Sequence, residues 1–162
     1  MEYERRMRRS PQQAITITRC TAQDADFRAL IAALDEELNE RYGAQMDFFG
    51  QHNKSGDVQH AVVVSLDGIP AGCGCFKPFS HDSVEMKRIF VHKAFRGQRL
   101  ARVVLAELEA WAHESGFLFA VLETGTLQPE AIRLYEAAGY QRIPNYEPYI
   151  GVKESVCFRK AL

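Results

Sequence analysis

The sequence predicts a single α/β (α+β) domain, a central sheet with helices on its faces. Three features point there. Strand-like runs form a meander in the middle of the chain, strands and amphipathic helices then alternate as β-α-β-α-β, and 162 residues suit one core of substantial size. Residues 1–13 carry charge without apolar periodicity and are expected to form a flexible arm, leaving 14–162 as the domain.

The run "AITITRC" from Ala14 alternates as a strand does. Thr21 or Asp24 can cap the helix that follows, because Phe27, Leu30, Ile31, Leu34 and Leu38 recur at three- and four-residue steps toward Tyr42. "AQMDFFGQHNKSG" reads as a short helix and a polar loop. "HAVVVSL" and "PAGCGCFKPF" form a hairpin turned at Asp67-Gly68, and "SVEMKRIFV" over 83–91 is the next strand. Leu100, Val104, Leu108 and Trp111 then share one face of a helix that ends before Gly116. "FLFAVLET" is apolar enough for a strand buried on both faces. "QPEAIRLYEAAGY" is a helix with Pro129 at its first position and Gly139 past its end, and "SVCFRKAL" closes the chain as a strand.

A hydrophobic fraction of 46% and a charged fraction of 25% lie near globular averages, which argues against a disordered or fibrous chain. A net charge of -1 leaves no electrostatic footprint for nucleic acid, and the one basic cluster, "RRMRR", sits in the terminal arm. No run approaches the ~18 apolar residues of a membrane span and no secretory segment opens the chain, so a cytoplasmic location without a membrane partner is expected. Cys20, Cys73, Cys75 and Cys157 lack Cys-x-x-Cys spacing, and His52, His60, His81, His92 and His113 lack paired metal spacing. No metal is therefore expected; the histidines are assigned to the surface or to loops, and Cys73 and Cys75 to packing on one strand face.

The chemistry concentrates in "FRGQRLARVVL", residues 95–105, where a strand feeds a glycine-containing turn and the turn opens a helix. Free backbone N–H groups and the helix dipole converge there on one point, which makes an anion site. Gly97 lets the backbone approach a phosphate, and Ala101 keeps the first helical turn small. There is no G-x-x-x-x-G-K-[ST] and no full G-x-G-x-x-G, so kinase and dinucleotide readings weaken.

The wider stretch "VHKAFRGQRLA" resembles the signature V-x-x-x-[YF]-R-G-x-G-[IL]-[GA] of the GNAT superfamily of acyl-CoA-dependent N-acyltransferases. It matches at Val91, Phe95, Arg96, Gly97, Leu100 and Ala101, with Arg99 in place of the inner glycine. "QPEAIRLYEAAGY" is similar to the family's Asn-x-x-A-x-x-x-Y helix followed by Gly-[FY], with Gln128 replacing Asn, and "LETG" at 122–125 keeps the family's spacing.

The resemblance implies a mixed, mostly antiparallel sheet whose fourth and fifth strands splay apart to admit the pantetheine arm of acetyl-CoA. It implies cofactor binding by the main chain of Ile89, Phe90 and Val91, by the loop of Arg96, Gly97, Gln98, Arg99, Leu100 and Ala101, and by Gln128. Arg99 is expected in the first helical turn at negative φ, its guanidinium turned outward toward a phosphate. Glu85 stands where the histone-acetylating branch carries its general base, and plain strand alternation puts it on one face with Ile89 and Val91. Its bland alternative is an exposed carboxylate paired with Lys87. Tyr135 matches the tyrosine that many relatives place near the sulfur as general acid, its alternative being a core tyrosine beside Ile132 and Leu134. Phe48 and Phe49 are candidates for an acceptor wall or for core packing, and Tyr146 and Tyr149 for a pocket rim. The expected acceptor is a primary amine of a small molecule. A non-catalytic acyl-CoA sensor on the same fold is the rival reading, and whether the chain forms a homodimer is left open.

Overall fold

A computed structural model describes residues 13–43 and 57–162. The terminal arm up to residue 12, the whole stretch expected to hold a short second helix, and with it Phe48, Phe49 and His52, lie outside the described residues. Strand β1 (Ile15–Cys20) leads into helix α1 (Ala25–Tyr42), which Asp24 caps by accepting the Phe27 N–H at 2.9 Å. Strands β2 (His60–Leu66) and β3 (Ile69–Pro78) form the expected hairpin, with φ of 49° at Asp67 and 82° at Gly68, as a two-residue turn of matching twist needs. Strand β4 (Ser83–Val91), helix α2 (Leu100–Glu114), strand β5 (Phe119–Gly125) and helix α3 (Pro129–Ala137) follow. A three-residue strand β6 (Gln141–Ile143), too short to leave a period in the sequence, precedes β7 (Ser155–Ala161).

The seven strands form one sheet in the order β1-β2-β3-β4-β5-β7-β6. Every neighbouring pair is antiparallel except β4 and β5. Alternation along β2 explains why "HAVVVSL" is apolar throughout: Val62 and Val64 enter the core under α2, while Ala61 and Val63 enter the core under α1. Phe76, Leu100, Val104, Leu108, Leu122 and Phe158 fill the α2 side, and Phe27, Leu30, Leu34 and Leu38 cover the other. Cys73 and Cys75 are fully buried on the α1 side, as packing residues of one face should be.

His60 departs from its expected place. It lies half-buried on β2, stacked 4.6 Å from Phe76 and edge-on to Trp111 at 4.7 Å, and burial holds its pKa below the ordinary value. By strand period His60 shares a face with Val62 and Val64, which carries it against the α2 side and off the open surface. No helix among the described residues is long and apolar enough to cross a membrane.

Candidate active site

Strands β4 and β5 pair only at Ser83–Phe119, Val84–Ala120 and Glu85–Val121, although β4 runs on to Val91 and β5 to Gly125. Beyond Glu85 the strands diverge and leave a gap in the middle of the sheet. A bulge on β4 accompanies the divergence. Cys75 faces Lys87 and Cys73 faces Phe90, so three steps on β4 span two on β3, and Arg88 takes φ of 60°. The extra residue resets the alternation. Val84 and Met86, then Ile89 and Val91, face the α2 side, whereas Phe90 joins the α1 side. Glu85 therefore does not share a face with Ile89 and Val91, as unbroken alternation had implied; its side chain points to the α1 side with Lys87.

A cleft of about 250 Å³ opens at the gap between α1 and α3. Ile89, Phe90, Val91, Arg96, Gly97, Arg99, Leu100, Ala101 and Gln128 line it, bringing together every residue expected at the cofactor except the exposed Gln98. Gly97 has φ of 84° and open space where a Cβ would stand. Arg99 is the N-cap of α2 at φ 61°, not a first-turn residue at negative φ, and makes no side-chain cap bond. A left-handed residue is what the turn demands, which accounts for the glycine in the family signature and makes arginine a strained tenant. The first N–H groups of α2 thus have no side-chain acceptor and border the cleft, a fit for phosphate oxygens. Arg96 is committed within the chain: its Nε donates to the Val91 carbonyl at 3.0 Å and its guanidinium meets Glu37 at 2.6 Å, which holds the Glu37 carboxyl below its usual range. On the other wall Arg41 of α1 pairs with Glu130 of α3.

Two smaller cavities continue inward. One, of about 70 Å³, is bounded by Tyr42, Arg88, Glu123 and Gly125; the other, a polar chamber of about 40 Å³, by Glu85, Lys87, Glu123 and Tyr149. Tyr135 lines the cleft and both cavities, is 7% exposed, and its phenol is pushed well above its ordinary pKa by burial. Glu85 is buried, not exposed. Tyr146 donates to its Oε2 at 2.8 Å, and the ammonium groups of Lys87 and Lys77 stand 3.4 and 3.9 Å from Oε1. Tyr149 is a buried wall and only Tyr146 is half-exposed, so the two tyrosines do not form a common rim.

The sequence reading passed over Arg88, Tyr42 and Glu123. The Arg88 guanidinium is buried against Asp35 at 2.6 Å with its Nε unpartnered, and the Tyr42 hydroxyl accepts from Gln128 Nε2 at 3.3 Å. Glu123 carried a signal that could have been read: a carboxylate inside an otherwise apolar strand costs desolvation and asks for a reason. Among the described residues no group of three or more His, Cys, Asp or Glu side chains could hold a metal ion.

A sheet opened between its central parallel strands, with a helix N-terminus facing the opening, defines the acyl-CoA-dependent N-acyltransferase class. The chain belongs to the acetyltransferase (GNAT) family, whose profile matches residues 23–140. It is 31% identical to an IAA acetyltransferase of Azospirillum brasilense, over 83% of this chain and 90% of that protein. It is 30% identical to N-acetyltransferase family 8 member 5 of the mouse, a match spanning 60% of this chain but only 41% of that protein. A Klebsiella pneumoniae protein assigned as an acyl-CoA N-acyltransferase superposes with TM-score 0.76 at 36% identity, covering 91% of this chain and 97% of that one. A GNAT acetyltransferase of Elizabethkingia anophelis with acetyl-CoA bound shares the fold at TM-score 0.65 and 18% identity, covering 91% and 98%.

Proposed function

We propose that the protein transfers an acetyl group from acetyl-CoA to a primary amine of a small molecule. One observation carries this reading: the cleft at the divergence of β4 and β5 joins a loop of uncapped N–H groups to a buried tyrosine through continuous lining. The phosphates meet the α2 N-terminus and the Gly97 backbone, and β4 beyond Glu85 offers the pantetheine arm main-chain partners that β5 leaves unused. The reacting end then reaches Tyr135, whose hydroxyl gives a proton to the departing thiolate. Glu85, across the polar chamber, receives the proton that the amine loses.

Calorimetric titration with CoA tests the binding half. Gly97→Val is expected to weaken the affinity at least tenfold, about 1.4 kcal/mol, and Gln98→Ala to change it less than about threefold, because the backbone and not the Gln98 side chain holds the phosphate. Equal losses would remove the loop from the site. Thiol release from acetyl-CoA with spermidine, tryptamine, lysine and glutamate tests the transfer, and Tyr135→Phe should lower the turnover found by about 10²-fold or more. Tight CoA binding with no thiol release would favour a non-catalytic sensor.

A further inference from the structure

Among the lysines of the described residues, Lys87 alone borders any of the three cavities of the site. Its place follows from the register. Strands β4 and β5 last pair at Glu85 and Val121, so Lys87 and Glu123, each two residues further on, are the first same-face positions past the point where the strands part. Burial lifts the Glu123 carboxyl to about 7, and the Lys87 ammonium is among the groups that draw it down, as a charge facing it across the narrow end of the gap does. The bulge comes after Lys87, which still faces Cys75 in the ladder and keeps the face of Glu85.

A lysine is an uncommon lining for such a chamber. Its side chain is 7% exposed, against 49% for Lys77, and an ammonium taken out of water needs a partner close by. Glu85 supplies one, with Oε1 at 3.4 Å from Nζ, so the amine has a proton acceptor within reach. Tyr135 borders the same chamber and the cleft beyond it. With phosphates at the turn of Gly97, past the end of β4 at Val91, an arm laid back along Val91 and Ile89 carries its thioester toward Lys87. The chamber therefore holds a nucleophile, a proton acceptor and a proton donor at the end of the path the cofactor would take.

On the acetyl-transfer reading above, we propose that Lys87 is a self-acetylation site, its amine taking the acetyl group from acetyl-CoA bound to the same chain. The proton balance closes. The ammonium has three N–H bonds and the amide product one, so two protons leave the nitrogen. The first moves to Glu85 Oε1 and from there to solvent, which frees the electron pair of Nζ for attack on the thioester carbon. As the C–N bond forms and the C–S bond breaks, the Tyr135 proton goes to the sulfur. The second nitrogen proton returns to the Tyr135 phenolate through water in the chamber. The product is a neutral acetamide that leaves Glu85 without its Lys87 partner.

Protein whose intact mass shows no modification is incubated with acetyl-CoA and no amine, and mass spectrometry with peptide mapping then follows the acetyl group over time. One acetyl group per chain is expected at Lys87, ahead of the more exposed Lys77, with one equivalent of thiol released. The rate should not depend on protein concentration, because donor and acceptor sit in one chain. Tyr135→Phe should slow acetylation of Lys87 by about 10²-fold or more and leave that of Lys77 unchanged. Lys87→Arg keeps a cation beside Glu85 and should release no thiol without an amine; mapping of the parent decides the matter even where that variant does not fold. A Lys87 that stays unmodified, that reacts no faster than Lys77, or whose rate is indifferent to Y135F overturns the inference, and thiol release with an amine of the panel above then leaves acetyl transfer standing. A parent that neither modifies itself nor releases thiol with any of those amines overturns the transfer reading as well.

Discussion

Arg99 and Arg88 both occupy the left-handed region, at φ 61° and 60°, where a side chain costs about 1 kcal/mol or more relative to glycine. They differ in what they receive in return. Arg88 is buried on Asp35 at the bulge that turns β4 along the gap, so its strain belongs to the architecture of the site. Arg99 is exposed and makes no cap bond, and its conformation serves only the turn into α2. Arg99→Gly is therefore expected to stabilise the ligand-free protein by about 0.5–1 kcal/mol, or roughly 1–4 °C in Tm for a domain of this size. Scanning calorimetry decides the matter. A lower Tm would mean that the guanidinium repays its backbone strain through contacts at the cleft rim, and the salt dependence of CoA binding would then show whether a phosphate is among them.

At the scale of elements, close approach builds the inner cavity as much as the strands do. Gly125, the last residue of β5, lies directly under the Tyr42 hydroxyl of α1, and a Cβ there would collide with that oxygen. Gly125→Ala should displace the phenol, break its bond from Gln128, and cost about 1–3 kcal/mol in chemical denaturation. Adding Tyr42→Phe removes the colliding oxygen and should recover part of that loss; a double variant no better than G125A would place the damage in the strand instead. None of this could be read from the chain, because Tyr42 and Gly125 lie far apart in sequence and no local period relates them. The elements themselves were legible. Helices α1 and α2 each carried a stripe and an end signal, Thr21 or Asp24 for the first and Gly116 for the second, while α3 was marked by Pro129 and Gly139 at its ends. The loop was legible as a glycine turn opening a helix from Gly97 and its position, but the faces of β4 were not. Alternation holds only while the ladder is regular, and nothing in "SVEMKRIFV" marks Arg88 as an inserted residue.

For the whole molecule, the sheet is two blocks, β1-β2-β3-β4 and β5-β7-β6, hinged on three residue pairs that end at Glu85 and Val121. Ion pairs from α1 tie the rest of the cleft together, Arg96 to Glu37 on the β4 side and Arg41 to Glu130 on the β5 side. A ligand laid along the gap supplies the hydrogen bonds that β5 does not, so its effect on backbone exchange should be local before it is global. With saturating CoA, amide hydrogen exchange is expected to slow most at the N–H groups of β4 between Met86 and Val91 that face β5, and in the first turn of α2 from Leu100. Amides of β1 and β2, three strands and two strands from the gap, should slow only by the uniform amount that mass action adds to global stability. In Gly97→Val the protection at α2 should be lost first, since the proposed phosphate contact lies there and the proposed strand contact elsewhere. Equal protection across all strands would mean that CoA stabilises the fold without bridging the gap. Protection at α2 alone would place the pantetheine arm outside it.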